Sequence, residues 1–176
     1  MISQKTFLLP ILILFACSGK DKKINLVKNE WISSAPEIQY SILFFVSSDC
    51  PLCKSYMPEI QTIQDKMLVN KKWQVIIIEE SENAEKFAAA HPKWNVKPDY
   101  KHQIAKLFQA DVTPEVFVVD SASHILYRGA IDNYAIETGK HRAVADEHYL
   151  KDAIANIEAG ITVKRNSTKA VGCYIE

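Results

Sequence analysis

The chain is poor in the residues that break or staple structure. Its 176 residues include only 5 glycines, 7 prolines and 4 cysteines, which excludes a collagen-like repeat, a Pro/Gly-rich disordered chain and a disulfide-dense mini-protein. Charge of one sign is lacking as well, since 21 Lys and Arg balance 21 Asp and Glu. Without a net field there is no electrostatic footprint for a phosphate backbone, and nucleic-acid binding is not expected. His91, His102, His124, His141 and His148 show no metal-ligand spacing. The apolar run Phe7 to Phe15 contains Pro10 and falls well short of the roughly 20 residues that cross a bilayer as a helix. What is present is 48% hydrophobic residues, enough for one core in a chain whose length suits a single domain of about 100 to 200 residues.

The N-terminus has the pattern of an export signal: Lys5, then the short apolar run, then Ala16 and Cys17. Leu14-Phe15-Ala16-Cys17 resembles the bacterial lipobox, which implies removal of residues 1–16 as a lipoprotein signal peptide and acylation of Cys17. Several acyl chains give firm anchoring where a single chain binds only marginally. Residues 17–23 are polar and aperiodic, the composition of a tether, and the folded domain is expected over 24–176. The protein is therefore expected as an exported lipoprotein of the cell envelope, on the periplasmic face of the inner or outer membrane. Asn166-Ser167-Thr168 fits a glycosylation acceptor, a match that a bacterial lipobox makes incidental.

The remainder alternates between strand and helix signals. Ile42 to Val46, Trp73 to Ile78 and Val116 to Val119 are short continuous apolar runs, the pattern of strands buried on both faces. Between the first two, Tyr56, Ile60, Ile63 and Met67 recur at helical spacing, so a βαβ unit with a parallel strand pair is expected. Asn83 to Ala90 and His102 to Phe108 read as shorter helices, with Ser81 and Asp99 as candidate caps. Val116 to Val119 and Ile125 to Arg128 read as a hairpin around Asp120 to Ser123. Tyr149, Ile154 and Ile157 mark a final helix ending at Gly160. Trp73 and Tyr149 are expected in the core. The fold class is α/β, a central mixed sheet flanked by helices in one domain.

The chemistry is concentrated in Cys50-Pro51-Leu52-Cys53, which follows the first strand after Ser47-Ser48-Asp49 and opens the amphipathic helix. With Pro51 as the first helical residue, Cys50 stands at the N-cap, where orphan N–H groups and the helix dipole favour thiolate over thiol. Cys50 is thus the expected nucleophile. Cys53, one turn on, is the expected resolving thiol, able to reach the first sulfur and expel a mixed-disulfide partner. A structural disulfide across so short a loop would contribute little by loop closure, and a structural zinc site would need four ligands where one Cys pair stands. No metal is expected, although copper capture by Cys50, Cys53 and one histidine stays open on ligand softness. Glu79 and Glu80 end the second strand run, and Glu80 is a candidate proton relay to Cys53. Arg128 and Arg142 are expected in surface pairs.

Cys50-Pro51-Leu52-Cys53-Lys54, with Pro58 five residues after the second Cys, resembles the thioredoxin active-site segment. Val112-Thr113-Pro114 before Glu115 to Val119 resembles the thioredoxin-fold cis-proline. The resemblance is closest to membrane-tethered redoxins, the group that spans TlpA-like thiol-disulfide oxidoreductases and the alkyl hydroperoxide reductase/thiol-specific antioxidant proteins. It implies a thioredoxin-like fold, with Pro114 facing the disulfide and the Thr113 backbone pairing with substrate chains. It also implies thiol or disulfide proteins as substrates and a membrane electron donor, with a redox-active disulfide and no organic cofactor. Ser47 to Cys50 is similar to the peroxiredoxin Ser/Thr-X-X-Cys signature, with Leu43 where that family has proline. A thiol peroxidase is therefore the alternative reading, and a copper-binding or assembly protein a further one. The ending Val171-Gly172-Cys173-Tyr174-Ile175 resembles a redoxin branch that closes on Gly-Cys. Cys173 is open to three fates: a third redox thiol, a pairing between chains, or a buried inert Cys.

Overall fold

A computed structural model describes residues 40–67, 72–79 and 81–176. The expected signal peptide, Cys17, the tether, the start of the domain near Ile24 and Glu80 all lie outside the described residues. The elements run β1 (Tyr40–Val46), α1 (Pro51–Met67), β2 (Lys72–Ile77), α2 (Ser81–Ala90), β3 (Val96–Pro98), α3 (Gln103–Phe108), β4 (Val112–Thr113) and β5 (Glu115–Asp120). They continue with β6 (Ile125–Gly129), β7 (Ala135–Glu137), β8 (Lys140–His141), α4 (Tyr149–Glu158) and β9 (Cys173–Tyr174). Among the described residues no helix is long and apolar enough to cross a membrane.

β1 is the spine. All seven of its residues are buried, because it is bonded on both edges and covered on both faces. β2 pairs with it in parallel and β5 antiparallel, in the sheet order β3-β2-β1-β5-β6. Side chains alternate across a strand. Ile42, Phe44 and Val46 therefore face the cluster formed with Tyr56, Ile60 and Ile63 of α1 and Leu150, Ala153 and Ile154 of α4. Leu43 and Phe45 face the opposite cluster, with Ile104, Ala105 and Phe108 of α3 and Phe117 of β5. The continuous apolar run of β1 is the sequence form of this two-sided burial.

The shorter elements follow local rules. Asp99 caps α3 as expected: its carboxylate accepts from the N–H groups of Ile104 at 3.1 Å and Ala105 at 2.8 Å. His102, at the N-cap position, adopts a left-handed conformation and supplies no cap of its own. Gly160 follows α4 at φ +68°, the left-handed stop its position predicts. Trp73 is buried against Phe44 and Trp94. Tyr149 departs from the core expectation. It begins α4 half-buried, with its hydroxyl donating to Glu147 at 2.7 Å, since a phenol that reaches water keeps its polar tip outside. Arg128 pairs with the buried Glu115 at 2.9 Å, and Arg142 donates to the Asn133 carbonyl at 2.7 Å, so neither Arg is held in reserve for a ligand.

Phe45 is fully buried between the rings of Phe108 and Phe117. Phe45→Ala is expected to destabilise the domain by about 3 to 5 kcal/mol, read from the denaturant midpoint. Val144→Ala, at a position 76% exposed, is expected to change stability by no more than about 0.5 kcal/mol.

Candidate active site

The sheet directions assemble the site. β1 and β2 run parallel, so their C-terminal ends deliver Ser47 to Cys50 and Glu79 to the same end of the sheet. β5 runs antiparallel, with Phe45 opposite Glu115, so its N-terminal end brings Thr113 and Pro114 to that end too. Three segments distant in sequence meet there because of strand polarity alone.

Cys50 caps α1 as the sequence predicts. Its carbonyl accepts the first intrahelical bond, from Lys54 N–H at 3.1 Å, and Pro51 is the first helical residue. The side chain is 2% exposed. Its Sγ lies 3.2 Å from the Thr113 carbonyl oxygen, to which a reduced Cys50 thiol donates. The Thr113–Pro114 peptide is cis and both residues are buried, with the Thr113 backbone beside the Cys50 sulfur.

Cys50 is joined in a disulfide to Cys173, 123 residues away, with the two Cα atoms 6.1 Å apart. The sequence left the partner of Cys173 open, and here it is paired within the chain, with the N-cap sulfur. Cys173 sits on β9, which pairs antiparallel with β4 in the register Thr113 to Cys173 and Val112 to Tyr174. Ile175 N–H extends the pairing to the Asp111 carbonyl at 3.0 Å.

Cys53 is a free thiol, buried without exposure. Burial pushes it up to about 11 by disfavouring the charged form. The Ser47 N–H, 3.4 Å from Sγ, and the nearby Thr113 hydroxyl pull the other way, while the charge of Glu79 adds to the rise. The Thr113 hydroxyl itself is buried and meets no group at hydrogen-bonding geometry. The two cysteines of the Cys50-Pro51-Leu52-Cys53 segment are thus unlike, one sulfur at a helix N-terminus and one withdrawn from water.

Glu79 is the acid that the site displays. It accepts from the Ser47 hydroxyl at 2.7 Å and from both the backbone N–H and the hydroxyl of Ser48. Glu80, the candidate relay, lies outside the described residues. The Ser47-Ser48 pair, two donors at the mouth of the helix, is the sequence signal for an acceptor at Glu79. Gly172 was also missed. A Cβ on it would overlap the Thr113 carbonyl oxygen and lie 2.6 Å from the Thr113 carbonyl carbon, so glycine is what lets β9 approach.

Among the described residues, the one group of three side chains able to share a metal ion is Glu59, Asp132 and His148, which includes neither site cysteine. Asp132 there accepts from the Tyr56 hydroxyl at 2.7 Å, and Glu59 pairs with Lys151 at 2.6 Å. These acids have structural partners.

The sequence pattern of the AhpC/TSA family matches residues 16–128. Among solved structures, the chain is similar to an uncharacterized conserved protein from Geobacillus kaustophilus, with 21% identity over 78% of this chain and 77% of that one, at a TM-score of 0.67. It is also similar to a hypothetical protein from Sinorhizobium meliloti 1021, with 18% identity over 78% and 79% of the two chains and a TM-score of 0.58. A thioredoxin-like protein solved in its oxidized form matches at 18% identity over 74% and 82%, with a TM-score of 0.51. These likenesses establish the thioredoxin-like fold. No protein of curated function matches the chain in sequence.

A thiol held at about 11 is almost wholly protonated at neutral pH, and its thiolate fraction grows about tenfold per pH unit. Attack of Cys53 on the Cys50–Cys173 bond, followed by acid quench and mass mapping, is expected to accelerate about tenfold per unit between about pH 7 and 9. A plateau below about pH 8 would contradict the buried, protonated Cys53.

Proposed function

The chain belongs to the AhpC/TSA family, and from that membership and the cysteine geometry we propose that it exchanges disulfides with protein thiols through Cys50. The observation that carries this reading is the placement of one helix N-cap sulfur in bonding distance of Cys173 and one helical turn from Cys53.

In the exchange, the Cys50 thiolate attacks a partner disulfide. A bond forms between Cys50 Sγ and one partner sulfur, and the other partner sulfur leaves with the electron pair and takes up a proton. Cys53 or Cys173 then attacks Cys50 Sγ, loses its proton and releases the partner as a thiol. The two routes end in Cys50–Cys53 or Cys50–Cys173, which interconvert by the same substitution without net oxidation. The Thr113 carbonyl at 3.2 Å from Cys50 supports a docked substrate backbone beside the reacting sulfur. The acidic pair Glu79-Glu80, which follows β2 in sequence, supplies the acceptor for the proton of Cys53. Glu79 is its described member, bonded to Ser47, whose N–H bonds the Cys53 sulfur. The redox-active disulfide is the only redox group this chemistry uses.

A thiol peroxidase would arrive at the same Cys50–Cys173 bond through a Cys50 sulfenic acid. Two observations favour exchange. The Ser47 hydroxyl donates to Glu79 rather than toward Cys50, and Arg128 is committed to Glu115 and to the Gln109 carbonyl. Neither is placed to polarise a peroxide. A Cys17 lipid anchor would hold the domain at the envelope membrane, where a membrane electron donor recharges it.

Cys50→Ser is expected to abolish disulfide exchange with a thiol protein substrate, and Cys53→Ser with Cys173→Ser to accumulate mixed disulfides at Cys50. Unchanged turnover in Cys50→Ser would sink the assignment, and rapid consumption of hydrogen peroxide by the unmodified chain would transfer it to the peroxidase. Cys17→Ala is expected to move the protein from the membrane to the soluble fraction of cells, and continued membrane fractionation would refute the lipid anchor.

A further inference from the structure

The C-terminal strand reaches the site as a tethered peptide. Its fixed point is Thr168, whose N–H donates to the Arg128 carbonyl at 3.0 Å and whose hydroxyl accepts from Ala130 N–H at 2.9 Å. Gly129, at φ +127°, makes room for it: a Cβ there would overlap the Thr168 carbonyl oxygen. Beyond Thr168 the strand lies along the open backbone edge of Val112–Thr113, in the register that puts Cys173 opposite Thr113.

Each position of this strand meets a different constraint. Gly172 packs where any side chain would collide with the backbone of Thr113 and stand 3.2 Å from Pro114 nitrogen, atoms that cannot swing aside as a flexible side chain can. Val171 lines a small cleft with Pro114 and Ile131. Tyr174 is 81% exposed and selects nothing. Ile175 packs against the apolar cluster of Leu43, Phe45, Phe108 and Phe117 while its N–H holds the Asp111 carbonyl. Main-chain bonds supply affinity and alternate side-chain positions supply selection, the logic of strand addition.

We propose that the Val112–Thr113 edge, which the family resemblance already implies pairs with substrate chains, is selective for an extended segment of the form aliphatic-Gly-Cys-x-aliphatic, the pattern of residues 171–175 that occupy it within the chain. The inference rests on the reading of Cys50 as the exchange nucleophile. It adds a sequence class for the polypeptide partners: a cysteine reaches Cys50 along this edge only when glycine precedes it. The tether gives the resident strand a high effective concentration, so an outside partner must match its pattern to displace it. A partner with a bulky residue before its cysteine is excluded by the Thr113 backbone.

The test uses the full chain carrying Cys53→Ser and Cys173→Ser, and heptapeptides Ala-Val-Gly-Cys-Tyr-Ile-Glu and Ala-Val-Ala-Cys-Tyr-Ile-Glu whose cysteine is held as a 2-pyridyl disulfide. Cys50 thiolate attacks the peptide sulfur, the new disulfide forms, and pyridine-2-thione leaves with the electron pair and a proton, giving an absorbance signal. Mass mapping assigns the adduct to Cys50. The glycine peptide is expected to react about tenfold faster or more, the effect of one methyl forced against fixed backbone. Equal rates would overturn the selectivity while leaving exchange at Cys50 intact. No adduct at Cys50 with either peptide, in protein whose circular dichroism is unchanged, would overturn the exchange reading itself. In the otherwise unaltered chain, Gly172→Ala is expected to lower the Cys50–Cys173 fraction about tenfold in favour of Cys50–Cys53, and an unchanged fraction would also overturn the selectivity.

Discussion

The structure depends on β1 being paired on both edges with strands of opposite polarity. A parallel neighbour ends where β1 ends, and an antiparallel neighbour begins there. Cys50, Glu79 and the Thr113–Pro114 pair become neighbours although they come from three segments far apart in sequence. The two-sided burial of β1 holds this arrangement, because a one-residue slip would exchange Phe44 and Phe45 between opposite clusters. The precision of the sulfur chemistry is inherited from the packing of the strand beneath it.

The same end of the sheet divides its cysteines by environment. The helix N-terminus offers Cys50 unpaired N–H groups and a favourable dipole, while burial keeps Cys53 protonated up to about 11. Cys173 arrives from outside the sheet on a short strand, partly exposed. One sulfur is central, one is withdrawn and one is peripheral. In the proposed exchange, that asymmetry lets Cys50 serve both an internal partner and an external one, with Cys53 acting when its proton has an acceptor.

Much of this was legible in the chain itself, and the reasons for the rest are physical. The buried strands β1, β2 and β5 announce themselves as continuous apolar runs, α1 by its four-three-four spacing, and the Asp99 cap by its position before a helical pattern. β3, β4, β7, β8 and β9 have two or three residues each, too few for periodicity to register. The N-cap role of Cys50 follows from the proline after it. Its partnership with Cys173 does not, since it depends on the β4–β9 register that sets Cys173 opposite Thr113, a residue 63 positions after Cys50. Gly172 looked like part of a family ending, and only the approach of β9 to Thr113 shows why a side chain is not tolerated there. That Glu79 receives the Ser47-Ser48 donors depends on where β1 and β2 end side by side, which periodicity does not show.

The central claim is that Cys50 is the common member of every disulfide the domain forms. A glutathione redox titration of the full chain, quenched with acid, alkylated and mapped by mass, tests it directly and yields the reduction potential of each pair. The account predicts that Cys50–Cys53 and Cys50–Cys173 both appear and exchange with one another as the poise changes. A Cys53–Cys173 disulfide, or a Cys50 alkylated as a free thiol while another of the domain's cysteines is paired, would contradict it.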